Sequence, residues 1–575
     1  MPGNTAEPLA AIPTLVTLLR RRAQEQPTQK LYTFLRDDEE EETLTYAELD
    51  YRARQLGARL QSAGARGERV LLVYPSSLDY IIAFFGCLYA GAVAVPAYPP
   101  RQNRNLGRLQ AIISDAQARF VLTTGSIFSG IQRRLSDLQD LNPIQWLITD
   151  QAEDHAADDW KDPAVTEETL AFLQYTSGST SAPRGVMLRH RNLLHNLSII
   201  KSAIQGSRES TFAIWLPLHH DFGMIAGILE PLYLGSSVVL ISPTAFLQRP
   251  FCWLQTMSRS RARVSGAPNF AYDLCARKIS PALRAELDLS HWEVALNGAE
   301  PVRAETLERF IEAFAPCGFR PQTFHPGYGL AEATLMTTGG AKDRPPVIRT
   351  FQSAALMKDR AIPVEDGEAG GRRLVGVGGS LMGQRIAIVR PDLRTECAPG
   401  EIGEIWISGP SVAKGYWQRS EETERTFGAY LDQTAEGPFL RTGDLGFMHA
   451  GELFVTGRIK DLIIIDGQNY YPQDLELTAE KSHPAIRPSC CAAFSVDRGG
   501  REELVVAAEI ERQYLNSNRS EIEQAIRRAI AEEHELRVER VWLLKPGALP
   551  KTSSGKTQRY VCRADFLAAS ASGAS

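Results

Sequence analysis

Residues 175–185 concentrate hydroxyls, small backbone positions and one cation: Thr176, Ser177, Gly178, Ser179, Thr180 and Ser181 precede Arg184, directly after the apolar run 170–174. A strand that runs into such a loop presents backbone N–H groups, hydroxyls and a guanidinium to the oxygens of a polyphosphate. An ordinary Ser/Gly-rich turn has the same composition. The segment is not a Walker A loop, because no Gly-Lys-Ser/Thr triplet follows Gly178 at the required spacing. Nor is Gly555-Lys556-Thr557, since Pro550 stands where its upstream glycine would fall.

Further candidates lie downstream. Tyr328, Gly329 and Glu332 combine an aromatic face, a tight turn and a carboxylate, which could stack a base and help hold Mg2+ against phosphate. Asp444 offers two acceptor oxygens to a pair of ribose hydroxyls, and Arg458 could meet ribose or phosphate. Lys460 and Asp461 fall where a backbone rotation would turn one domain against another. Lys556 could enter a dry site and neutralise charge while a carboxylate oxygen attacks the α-phosphorus and pyrophosphate leaves. Taken singly, these residues also fit plainer roles: a turn aspartate, a solvated linker, a surface lysine.

Such groups need elements to hold them, and the chain has the means. Its 575 residues are 43% hydrophobic, enough for several cores and at least two domains. With 63 basic and 68 acidic residues the net charge is -5, which gives no general attraction for nucleic acid. The eight cysteines include no CxxC pair or metal-ligand spacing, so reduced thiols are expected instead of a disulfide scaffold or a zinc site. Leu15, Leu18 and Leu19 precede Arg20, Arg21 and Arg22, the reverse of a signal peptide. The apolar passage 81–97 reaches the lower limit of about 17 residues for a membrane span. Gly86, Gly91 and Pro96 suit a buried helix and strand better, so no stable membrane insertion and a cytoplasmic location are expected.

Short apolar runs at 70–74, 120–123, 211–216, 237–241 and 293–296 alternate with longer helix-like segments, the rhythm of α/β layers built on buried parallel strands. Residues from about 375 to 456 carry strands separated by turns and read as a β-rich subdomain. A compact α+β unit follows, with helices predicted at 472–480 and 519–534 and a frayed tail from Ala568. The expected division is 1–456 and 457–575.

Taken in order, residues 175–185, 328–332, 408–417, 441–444, 457–461 and 550–556 resemble the motifs of the adenylate-forming enzymes: acyl-CoA synthetases, peptide-synthetase adenylation domains and luciferases. The resemblance implies a large N-terminal domain of layered α/β subdomains and a small mobile C-terminal domain, with ATP and an acid joined in the cleft. It assigns Thr176, Ser177, Gly178, Ser179 and the catalytic Thr180 to a phosphate loop, and Tyr328 and Gly329 to the adenine site. Ala299 and Glu300 match the adenine-pocket wall, and Glu332 the magnesium-associated acid. Asp444 and Arg458 match ribose contacts, Lys460 the hinge and Lys556 the adenylation lysine. Ser181 and Arg184 depart from the glycine and lysine common in the family; Arg184 keeps the charge but changes its hydrogen-bond geometry.

Residues 215–225 and 265–275 are similar to the fatty acyl-AMP ligases in particular. That likeness sets His220 near the incoming carboxylate and Asp221 in the subgroup signature. Trp215, Phe222, Met224, Ile225, Phe270 and Leu274 could line an apolar tunnel, although a plain core has the same composition. An insertion is expected at about 347–371. In similar proteins it disfavours transfer to free coenzyme A and leaves the acyl-adenylate for a carrier protein. The implied reaction joins a medium- or long-chain fatty acid to ATP, with Mg2+, giving acyl-adenylate and pyrophosphate. A separate holo acyl carrier protein, or a carrier domain of a polyketide or peptide synthase, would receive the acyl group. A fatty acyl-CoA synthetase would share every ATP-side motif. A non-catalytic nucleotide- or fatty-acid-binding protein is the alternative of another class, encouraged by Ser181 and Arg184.

Overall fold

The apolar runs read as buried strands form two layered sheets in the computed structural model, which describes residues 12–36, 40–99, 107–132, 144–151, 155–176, 183–465, 468–498, 501–552 and 555–571. One sheet has six strands, in the order Gln145–Ile148, Phe120–Thr123, Arg69–Val73, Val93–Ala97, Leu170–Thr176 and Arg184–Arg189. All are parallel except the last, which pairs antiparallel with Leu170–Thr176. The other sheet has nine strands, six of them parallel neighbours: Lys30–Arg36, Val238–Ile241, Phe212–Ile214, Val264–Ala267, Val294–Asn297 and Phe324–Tyr328. Ligands of parallel α/β sheets bind beyond the carboxyl ends of the strands. Trp215, Ala299 and Tyr328 lie at those ends in the nine-stranded sheet, and Thr176 in the six-stranded one.

The passage suspected of membrane insertion is the helix Leu78–Ala90 followed by the strand Val93–Ala97. Ser77 caps the helix by accepting from the Tyr80 N–H at 3.3 Å. A Cβ on Gly86 would lie 2.7 Å from Leu56, so glycine there lets the helix press against its neighbour Tyr46–Ser62. No helix among the described residues is long and apolar enough to cross a membrane. All eight cysteines are free, seven of them buried.

The β-rich region is a five-stranded antiparallel sheet in the order Thr395–Glu396, Arg385–Arg390, Gly403–Ser408, Leu440–His449 and Glu452–Arg458. The expected insertion is more regular than its polar turns suggest. Ile348–Gln352 pairs with Pro363–Val364 and Gly371–Val375, with the short helix Ser353–Leu356 between. Phe351 docks it by edge contacts with Phe447 and Phe454, at 4.9 and 5.3 Å between ring centroids. Beyond residue 460, the helices Pro472–Ser482, Arg519–His534 and Arg559–Ala571 accompany the sheet of Ile486–Arg498, Arg501–Ile510 and Val538–Leu544. Ile522, Ile526 and Ile530, spaced one helical turn apart, bury one face of Arg519–His534 in a core separate from the large body's. The tail expected to fray at Ala568 stays helical to Ala571.

Candidate active site

Thr176 closes its strand opposite Arg184, and the expected phosphate-loop residues Ser177, Gly178, Ser179 and Thr180, with Ser181, lie outside the described residues. Arg184 is committed elsewhere. Its guanidinium pairs with Glu422 at 2.6 Å and lies 5.4 Å over the ring of Tyr416. The preceding strand is held to its surroundings by the Tyr175 hydroxyl, which donates to Asp115 at 2.7 Å, while Arg419 binds the other Asp115 oxygen at 2.6 Å.

Tyr328 ends its strand with its hydroxyl donating to Asp444 Oδ2 at 2.8 Å. Arg458 Nε donates to Asp444 Oδ1 at 2.7 Å, the two residues facing each other across paired strands. Each Asp444 oxygen has lone-pair capacity left for a ribose hydroxyl. The turn after Tyr328 requires glycine, because a Cβ on Gly329 would sit 1.6 Å from the carbonyl oxygen of Leu335. Ala299 adopts φ 65°, a left-handed conformation rarely taken by alanine, beside Glu300, whose Oε1 accepts from the Phe270 N–H at 2.6 Å. Glu332 follows in the turn Ala331–Ala333. Its Oε1 accepts from the Tyr416 hydroxyl at 2.9 Å, and burial pushes its carboxyl above the ordinary range.

His219 and His220 pack ring to ring, 4.8 Å between centroids, where the strand Phe212–Ile214 leads toward Phe222–Leu229. Burial holds His220 well below its usual range and pushes His219 down to about 3, so both rings are neutral at pH 7. Asp221 Oδ1 accepts from the Phe222 N–H at 2.7 Å. Lys556 arrives from the C-terminal unit on a hairpin: its N–H donates to Thr552 Oγ1 at 3.0 Å and its carbonyl accepts from the Thr552 N–H at 2.8 Å. Burial lowers the lysine pKa, opposed above all by the negative charge of Asp221 and further by Glu300 and Asp444.

These groups line one cleft of about 2260 Å³ between the large body and the C-terminal unit. Trp215, Asp221, Phe222, Phe270 and Leu274 are on its wall, as are Thr176, His220, Ala299, Glu300, Tyr328, Gly329, Glu332, Asp444, Arg458 and Lys556. Trp215 stacks on Phe246 at 3.8 Å and meets Phe270 edge-on at 6.2 Å, giving a rigid aromatic corner. Of the residues expected to line a tunnel, Met224 and Ile225 are wholly buried in the main core and are not on the wall of this cleft. They belong to the π-helix Phe222–Leu229, whose winding the apolar run did not reveal.

Lys460 is exposed in the turn Ile459–Asp461. On one side Arg458 is tied to Asp444, and on the other Arg559 holds Asp461 at 3.0 Å and Glu476 at 2.6 and 2.8 Å. Three groups escaped the sequence reading. Tyr416 sits in a quoted motif, yet its partner Glu332 is 84 residues away. Arg559, which grips Asp461 and Glu476, carried no local signal beyond its charge, and neither did Arg108, which stands on the cleft wall beside Tyr98 and His219.

Residues 19–417 match the AMP-binding enzyme family, and residues 460–573 match the AMP domain of Disco-interacting protein 2-like proteins. The chain is 48% identical over 562 residues to the medium-chain-fatty-acid–[acyl-carrier-protein] ligase JamA of Moorena producens, covering 96% of this chain and 95% of that one. A crystal structure of a fatty acyl-adenylate ligase from L. pneumophila, in complex with acyl adenylate and pyrophosphate, aligns with a TM-score of 0.76 at 40% identity, covering 96% of each chain. A structure from a study of fatty acyl-adenylate ligases of E. coli and L. pneumophila aligns with a TM-score of 0.87 at 32% identity, covering 98% of this chain and 99% of that one.

Proposed function

The chain belongs to the AMP-binding enzymes, in their fatty acyl-AMP ligase-like subgroup, and from that membership we propose how its own residues perform the reaction. The protein activates a fatty acid with ATP to an acyl-adenylate. The observation that carries the residue assignment is the entry of Lys556 into the cleft that holds His220, Asp221, Glu300 and Asp444.

The fatty carboxylate is already a nucleophile, so the protein's task is to position it and to manage charge. Neutral His220 donates a hydrogen bond to that carboxylate. Tyr328, its ring fixed through Asp444, packs on the base, while Asp444 and Arg458 hold the ribose. The carboxylate oxygen forms a bond to the α-phosphorus as the bond to the bridging oxygen breaks, and the electron pair leaves on pyrophosphate. Lys556 stabilises the charge gathering at the α-phosphoryl oxygens.

Magnesium fits the donor set. Glu332 supplies hard carboxylate oxygens on the cleft wall. One carboxylate with nucleotide and water oxygens completing the shell is the usual arrangement for Mg2+. Glu332 would hold the ion, which when bound supplies countercharge to the polyphosphate. The substrate is a medium- or long-chain acid entering past Trp215, Phe222, Phe270 and Leu274. A holo acyl carrier protein, or a carrier domain of a polyketide or peptide synthase, takes the acyl group on its thiol in the cytoplasm, with AMP leaving, after rotation at Lys460.

The test offers a mixed fatty-acid pool and ATP, identifies the adenylate by mass spectrometry, then sets coenzyme A against a holo carrier protein. Acyl-adenylate passed to the carrier is expected. Efficient release of acyl-CoA would overturn the carrier assignment, and absence of any adenylate would overturn the enzyme.

A further inference from the structure

Arg184 is engaged by Glu422 and Tyr416, and Arg108 is a further cation on the cleft wall near Thr176. It stands at the start of the helix Gly107–Ala116, is exposed, and lines the cleft with Tyr98, Thr176, His219 and His220. Three links bring this helix to the phosphate-loop corner. The strands Val93–Ala97 and Leu170–Thr176 are parallel neighbours, so Tyr98 and Thr176 emerge side by side. Asp115, in the same helix as Arg108, accepts from Tyr175 at 2.7 Å. Tyr98 packs on His219 at 5.1 Å, and the carbonyl of His219 accepts from Gln174 Nε2 at 3.1 Å.

The charge of Arg108 reaches His219 and His220, so it acts inside the reaction centre and not at a remote rim. Its environment differs from that of Lys556. Lys556 sits among Asp221, Glu300 and Asp444, whereas among the described residues no carboxylate pairs with Arg108; its electrostatic neighbour is the phenol of Tyr560 from the C-terminal unit. A guanidinium with no carboxylate partner, opening onto a cleft, suits an anionic ligand with several oxygens.

Resting on the adenylation reading above, we propose that Arg108 binds the β- and γ-phosphoryl oxygens of ATP and retains them as pyrophosphate when the bond to the α-phosphorus breaks. Lys556 then serves the α-phosphoryl group and Arg108 the leaving group. Tyr560 brings the C-terminal unit within electrostatic reach of Arg108, so withdrawal of that unit would open the way for pyrophosphate.

The test is calorimetric titration of Mg2+-pyrophosphate into the wild type, Arg108→Gln and Arg108→Lys, with steady-state kinetics on the same proteins. Arg108→Gln should weaken pyrophosphate binding and raise the KM for ATP by about 10-fold or more, the scale of a charge-assisted hydrogen bond. The KM for fatty acid should stay within about twofold, and Arg108→Lys should recover part of the loss. Unchanged pyrophosphate binding in Arg108→Gln would overturn the assignment. So would a rise confined to the KM of the fatty acid, or of the carrier protein with its phosphodiester arm. The titration needs no turnover, so a wild type that binds pyrophosphate through Arg108 but forms no acyl-adenylate would count against the adenylation reading alone.

Discussion

The Lys556 backbone is fixed at both ends, its N–H donating to the Thr552 hydroxyl and its carbonyl accepting from the Thr552 N–H, so its side chain is not needed to hold the loop. Lys556→Ala should therefore remove charge stabilisation without disturbing the loop. Acid-dependent pyrophosphate exchange should fall by about 100-fold or more, the usual scale for losing a preorganised charge. ATP binding by calorimetry should change little, since Tyr328, Asp444 and Arg458 remain; near-normal exchange in the variant would remove Lys556 from the chemistry. At this scale the sequence pointed to residues inside motifs, and Glu332, Asp444 and Lys556 from three of them do share one cleft. It was not legible where partners are distant. Nothing local shows that Glu422 takes Arg184, or that Tyr416 reaches Glu332.

Among elements, the insertion touches both parts of the molecule. It is anchored in the large body through Phe351, while Met357 packs against the core of the C-terminal unit. The Met357 carbonyl accepts from the Asn469 N–H at 3.2 Å, Asn469 Nδ2 donates to Asp359 at 3.0 Å, and Arg372 pairs with Asp474 at 2.8 Å. Burial pushes Asp474 up to about 6 in spite of Arg372. Arg372→Ala should loosen the clasp, giving faster proteolysis at 459–461 and a larger share of acyl-CoA when coenzyme A competes. No change in either would mean the insertion does not restrain the C-terminal unit. Periodicity announced the strand Phe120–Thr123 and the helix Arg519–His534 to the residue, because their apolar spacing is local. The small sheet of the insertion and the π-winding at Phe222–Leu229 were hidden, since both depend on what packs against them.

For the whole molecule, the buried histidines set an acid limit. His190 Nδ1 accepts from the Leu15 N–H at 3.2 Å, joining the N-terminal helix Leu15–Glu25 to the large body. Burial pushes His190 down to about 4. Because its folded pKa lies below the unfolded value near 6.5, the unfolded chain takes up the proton first as pH falls. Stability should thus decline from about pH 6.5 to about 4, by roughly 3 kcal/mol from this residue. Melting temperatures of the wild type and His190→Gln across that window check it: the wild type should fall more steeply, and parallel curves would refute the contribution. The division into a large α/β body and a smaller α+β unit was readable from alternating apolar runs, but the closeness of Lys556 to Asp221 was not. The clamps at Arg458 and Asp461 bear on that closure. Arg458 is bound to the body and Asp461 to the C-terminal unit, leaving Ile459 and Lys460 between the two grips. On the rotation proposed at Lys460, a pivot this short would act as an axle instead of a tether: the lysine hairpin would sweep a set arc, and two backbone residues would decide which face of the C-terminal unit meets the substrate.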